Sequence, residues 1–154
     1  MLICYKTQGN KIGYAASIDL LPEGAVSISY QELQDIKNPP SLELVKLEKI
    51  KEIEAARDKA CIQNVQALST IWQADKRSQE LIGQAITLTQ AGLPLPPVWR
   101  DFYNQDIPIN SISELLAIAA AMAVQTQNAY SKSWDKKALI NSSVTIQEVR
   151  NIIW

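Results

Sequence analysis

The sequence predicts an α+β fold, mainly α: a small N-terminal β-hairpin or three-strand unit over residues 1–40, followed by a mainly helical domain over residues 41–154 with a short extended or hairpin insertion. Three observations carry this. Residues 1–40 break into short apolar runs separated by Gly and Pro turn pairs. Beyond Pro40, long stretches contain neither residue and are rich in Ala, Leu, Glu and Lys, strong helix formers. Ser/Thr-x-x-Glu boxes at Ser29–Glu32, Ser111–Glu114 and Thr145–Glu148 each mark a helix N-terminus, because the hydroxyl and the carboxylate satisfy two otherwise orphaned N–H groups.

The elements follow in order. "LICYK" and "KIGYAASI" read as short strands around Gln8-Gly9-Asn10, a turn able to take positive φ. After the Pro22-Glu23-Gly24 turn, "AVSIS" alternates Val26 and Ile28 with serines and suits a third strand. The Ser29 box opens a brief helix, "YQELQDIK", which Asn38-Pro39-Pro40 ends, since proline disfavours helical geometry in the residue before it. A long helix is expected over residues 41–60, with Glu43/Lys46, Glu48/Lys51 and Glu54/Arg57 as opposite-charge pairs along it. Leu44, Leu47, Ile50 and Ile53 recur every third residue, so the apolar stripe drifts and no heptad seam is sustained; a helix lying on a neighbour fits better than a long coiled coil.

Residues 61–75 fit either a continued helix or a short hairpin, with Val65, Ile71 and Trp72 compatible with both. Asp75 caps the next helix, residues 76–91, stopped by Gly92. Pro94, Pro96 and Pro97 hold residues 93–97 extended, and "VWRDFY" and "IPI" flank a turn at Asn104-Gln105. The Ser111 box starts the longest helix, residues 112–138, on which Ile112, Leu115, Leu116, Ala119, Met122, Ala123, Tyr130 and Trp134 share a face. The Thr145 box opens a short C-terminal helix, residues 146–153.

Composition narrows function. A chain of 154 residues with 47% apolar and 20% charged residues describes one ordinary globular body. With net charge −1 and basic residues interleaved with acidic ones, nucleic-acid binding through phosphates has little support. Cys4 and Cys61 form no metal-spaced pair, and reduced thiols in a reducing cytosol are expected. The N-terminus turns polar too early for a signal peptide, and "LLAIAAAMAVQTQNAY" is too short to span a bilayer, so no membrane is expected. Histidine is absent, which removes the commonest general base and zinc ligand. The expectation is a non-enzyme that uses no cofactor and no metal.

Arg100, Asp101 and Asp106 are the nearest approach to a catalytic cluster. Adjacent residues of an extended segment point to opposite faces, so Arg100 and Asp101 read as solvated charges flanking buried Trp99 and Phe102. A carboxylate pair of glycosidase type, Asp101 with Asp106, is the alternative. Trp72, Trp99 and Trp134 are assigned to the core. Trp154, following Ile152 and Ile153, either docks back on the body or inserts into a partner.

In combination, "EIEAARDKA", "IWQADKRSQELIGQAITLTQAG", "VWRDFYNQDIPINSISELLAIAAAM" and "AYSKSWDKKALINSSVTIQEVRNIIW" resemble a domain of unknown function that recurs at the ends of phage tail proteins. "GYAASIDLLPEGAVSISYQELQDI" is similar to the front of phage tail-fibre assembly proteins. Residues 61–72 lack the glycine-centred hairpin common in that C-terminal domain. The resemblance implies a tail-fibre chaperone in the host cytoplasm during assembly, with a tail fibre or receptor-binding protein as partner and a homo-oligomer possible. The alternatives are a structural component kept in the virion tail and a carbohydrate-binding or hydrolytic tip. The exposed edge of the N-terminal hairpin and the apolar C-terminal "NIIW" are the surfaces expected to meet that partner, through Ile12, Tyr14, Ile152, Ile153 and Trp154.

Overall fold

The computed structural model describes residues 2–9 and 11–154, and the chain is α+β, mainly α. It divides into two compact units, residues 1–45 and 46–154. The division falls inside a helix and not at the Asn38-Pro39-Pro40 break. Among the described residues no helix is long and apolar enough to cross a membrane.

In the first unit, β1 (Ile3–Lys6) pairs antiparallel with β2 (Ile12–Ala15) on one side and β3 (Val26–Ile28) on the other. The register puts Tyr14, Cys4 and Ile28 on one face. That face meets α1 (Tyr30–Lys37), whose Leu33 is fully buried against Cys4 and Ile28, with Ile12 packed beside them. On the opposite face the Tyr5 ring lies across Gly13, where a Cβ would sit 2.7 Å from the phenol oxygen; only glycine leaves the ring its place. The Ser29–Glu32 box forms, with Ser29 Oγ accepting from the Glu32 N–H at 3.1 Å and Glu32 Oε2 accepting from the Ser29 N–H at 2.8 Å. The sequence-predicted turn residue Asn10 lies outside the described residues.

In the second unit, α2 (Leu42–Cys61) runs antiparallel to the C-terminal half of α4 (Ile112–Ser142). The contacts fix the direction. Lys46 Nζ donates to the Asn141 carbonyl at 3.1 Å, Lys137 Nζ binds Glu54, the Arg57 guanidinium lies 4.8 Å from the Tyr130 ring centroid, and the Gln125 carboxamide donates to the Gln63 carbonyl. Glu54 therefore looks across to α4 instead of along α2 to Arg57, which binds Asp58. Lysine donating to a carbonyl in the last turn of α4 also suits the negative end of the helix.

Residues 61–75 resolve into a hairpin, β4 (Val65–Ala67) with β5 (Thr70–Trp72). Its two-residue turn is Leu68-Ser69, both at positive φ, 50° and 65°. That is the type I′ geometry matched to strand twist, reached here without Asn or Gly. Buried packing compensates: Val65 and Trp72 face each other across the hairpin in the main core, and the Trp72 indole N–H donates to the Ala67 carbonyl at 2.8 Å. That core also holds Ile82 of α3 (Lys76–Gln90) and Leu115, Ile118 and Met122 of α4. Asp75 caps α3, accepting from the Arg77 and Ser78 N–H groups, and Gln79 ties the end of α2 to the start of α3 through the Cys61 and Ala74 carbonyls. Gly92, at φ 93°, closes α3 with the Gly92 N–H on Thr89 and the Leu93 N–H on Leu88.

Four expectations change. Helix α4 runs to Ser142, past residue 138, because no breaker intervenes and Ile140 is fully buried. Helix α5 (Ile146–Asn151) ends before residue 153: Ile152 leaves helical geometry, so the last residues run extended. The Ser111 box does not form: the Ser111 hydroxyl caps nothing, and Glu114 accepts from the Asn110 N–H at 2.7 Å instead of from Ser111. Trp134 is 57% exposed rather than core. Leu115, Ile118, Met122, Ala129, Ser133 and Ile140 make the buried seam of α4, and Trp134 lies roughly 100° around the helix from Ser133. Leu116, Ala123 and Tyr130 are exposed with it.

Left-handed φ costs about 1–2 kcal/mol for a residue with a Cβ. Replacing Leu68→Asn together with Ser69→Gly is therefore expected to raise the free energy of unfolding by about 1 kcal/mol or more in chemical denaturation, with the native spectrum unchanged.

Candidate functional site

The hairpin β6 (Val98–Arg100)/β7 (Asp106–Pro108) carries the predicted acidic cluster, and the structure separates its members. Arg100 and Asp106 are cross-strand partners on the exposed face, with Arg100 Nε donating to Asp106 Oδ1 at 2.9 Å. Asp101 turns inward and is only 2% exposed. Its Oδ1 accepts from the Tyr103 N–H at 2.8 Å and the Gln105 N–H at 2.9 Å; its Oδ2 accepts from the Thr70 hydroxyl at 2.8 Å. Burial alone would raise this carboxyl, but the Gln105 N–H, the Thr70 hydroxyl and the Tyr103 N–H outweigh it and hold it below the ordinary aspartate value. Asn104, at φ 60°, completes the loop in a conformation asparagine tolerates. Asp101 is thus not a solvated charge, and Phe102 is exposed instead of buried, because the loop needs the carboxylate inside to satisfy its own N–H groups. Trp99 packs against the main core, as expected.

The second unit carries an open groove of about 670 Å³. It is lined by Ala60 of α2, Gln63 just after that helix, Val65 and Gln66 of β4, and Val124, Gln125, Asn128 and Lys132 of α4. Trp154 also lines it, with Lys132 Nζ 4.7 Å from the centroid of its ring. Such a cation–π contact is worth about 0.5–1 kcal/mol at an exposed site. Of the two placements considered for Trp154, the indole here lies against the body. The groove mixes apolar walls with five carboxamides (Gln63, Asn64, Gln66, Gln125 and Asn128) and holds one side-chain charge, that of Lys132.

The predicted partner-binding residues are dispersed. Trp154 lines this groove; Ile152 is half-buried where α5 ends, and Ile153 points outward, 73% exposed. In the first unit Tyr14 lines a groove of about 550 Å³ with Leu2, Cys4 and Tyr30, and the Lys37 ammonium lies 5.2 Å from its ring centroid. Ile12 packs on the first unit's core. Sequence reasoning missed Lys132 and the carboxamides. Their signal was present as Gln125, Asn128 and Lys132, three or four residues apart and hence one polar stripe on α4.

A family model for a domain of unknown function, DUF4376, matches residues 45–153. The chain belongs to that family. The match takes in every groove residue except Trp154, one position beyond its end. No curated protein and no solved structure matches the chain.

Because the folded Asp101 carboxyl lies below its unfolded value, its contribution to stability is complete above about pH 4 and lost as pH falls through the folded value. Asp101→Ala should lower the thermal midpoint at pH 7, since it strands two loop N–H groups and a hydroxyl. Asp101→Asn should lower it less, because Oδ1 remains and the Thr70 hydroxyl can turn to accept. The deficits of both variants relative to the parent should shrink in melts at pH 3.

Proposed function

We infer that this chain is a protein-binding assembly factor of a phage tail, a chaperone that grips a tail fibre or receptor-binding protein in the host cytoplasm, with its side chains used for contact and not for bond-making. One observation supports the binding part above the others: the Trp154 groove, an accessible surface that combines an indole, apolar walls and hydrogen-bonding carboxamides in one concavity. Buried Trp residues in shaped pockets dominate protein–protein affinity, and an interface needs such an anchor with polar groups around it. The assignment to a phage tail rests on the resemblance of the C-terminal segments and of "GYAASIDLLPEGAVSISYQELQDI" to tail and tail-fibre assembly proteins.

The polar residues that had competed for a catalytic role carry evident structural work: Asp101 organises its loop and Arg100 pairs with Asp106. That supports contact over catalysis.

Co-expression with the fibre or receptor-binding protein of the same phage tests the reading. Trp154→Ala, and deletion of residues 152–154, are expected to weaken co-purification by roughly tenfold or more, the scale of a hot-spot aromatic. Val149, the buried residue of α5, is kept in both variants, so the melting temperature should hold within a few degrees. Unchanged co-purification would remove the groove from the interface. Abundant copies in purified virions would favour a retained tail component over a chaperone, and carbohydrate turnover abolished by Asp101→Asn with Asp106→Asn would overturn the reading.

A further inference from the structure

The β4–β5 hairpin is asymmetric in the use of its two edges. A two-residue turn makes Ala67 and Thr70 a pair that exchanges main-chain hydrogen bonds, and Val65 and Trp72 the next such pair. Gln66 and Ile71 stand between them, with N–H and C=O groups directed away from the hairpin, one to each outer edge. On the β5 side the group is used: the Ile71 carbonyl accepts from the Phe102 N–H at 2.8 Å. On the β4 side no main-chain partner meets Gln66 among the described residues, and Gln66, an exposed residue, lines the groove between β4 and α4.

We propose that the β4 edge is a strand-addition site, where an extended segment of a partner protein pairs with the Gln66 main chain while its side chains enter the Trp154 groove. An exposed donor–acceptor pair on a strand edge is the template for such pairing. The groove complements a peptide: the Asn64 and Asn128 carboxamides each offer one acceptor and two donors, matching peptide groups. Gln125 already donates to the main-chain carbonyl of Gln63 within it. Lys132 supplies the one side-chain charge of the groove, and its ammonium already lies on the Trp154 ring. The inference rests on the protein-binding reading above and gives that partner a conformation.

The test uses the intact chain and a displayed library of short random peptides. Selected peptides are expected to bind the parent and to lose roughly tenfold in affinity on Gln66→Pro, which deletes the outward N–H without touching a ladder bond. Gln66→Val keeps that N–H and should cost less than about threefold. In the parent, hydrogen exchange at the Gln66 amide should slow when peptide binds, a readout that does not depend on the folding of any variant. Equal losses for Pro and Val, unchanged Gln66 exchange, or selection of peptides that bind elsewhere would each sink the proposal. So would binding of oligosaccharides in the groove with none of peptides. Peptide binding that depends on Gln66, without co-purification of any fibre, would leave the edge standing and remove the phage-tail reading. Fibre capture untouched by Gln66→Pro would do the reverse.

Discussion

The Asp101 carboxylate takes two N–H groups and a hydroxyl out of water, and in doing so ties the β6–β7 loop to the β4–β5 hairpin. Buried polar groups are tolerated only with such partners, and a carboxylate that accepts several donors is among the stronger fasteners available to a protein interior. The Phe102 N–H adds a main-chain bond to Ile71 at the same junction. Two short hairpins, neither stable alone in water, thereby share one anchor and can lie on the helices that bury Trp72 and Val65.

That anchor also determines which edge of β4–β5 is satisfied. The Asp101 loop covers the β5 side, so the unpaired edge is the one beside α4. The antiparallel pairing of α2 with α4 delivers Gln63 to Gln125 at the same place, and the extended tail after α5 lays the Trp154 indole under Lys132. The groove is therefore a product of three separate constraints, each structural, that leave an indole, several carboxamides and an open strand edge around one space. That composition favours contact with polypeptide, as proposed, and needs no reactive group.

The sequence was most informative where the cause of structure is local. Capping oxygens at Ser29, Asp75 and Thr145 satisfy N–H groups a few residues away, and they act as read. Proline after Asn38 and glycine at position 92 stop helices for reasons internal to their own dihedrals. The Leu68-Ser69 turn escaped because neither residue favours positive φ; only the packing of Val65 and Trp72 across the hairpin compels it. Asp101 and Phe102 were exchanged between inside and outside because the deciding partner, Thr70, lies in another hairpin. Trp134 was placed in the core by its size, yet the seam of α4 is set by what α2 and α3 cover.

By itself, then, the sequence determined the fold class, the order of the elements and most helix ends, since propensity, capping and chain stiffness act within a few residues. It also carried a membership that residues 45–153 make explicit. Tertiary structure alone decided that Trp154 folds back to Lys132, that the carboxamides of residues 63–66 and of α4 converge, and that Gln66 presents the unpaired edge of its hairpin. Those outcomes join residues remote in sequence, and their energies arise only once burial has brought the surfaces together.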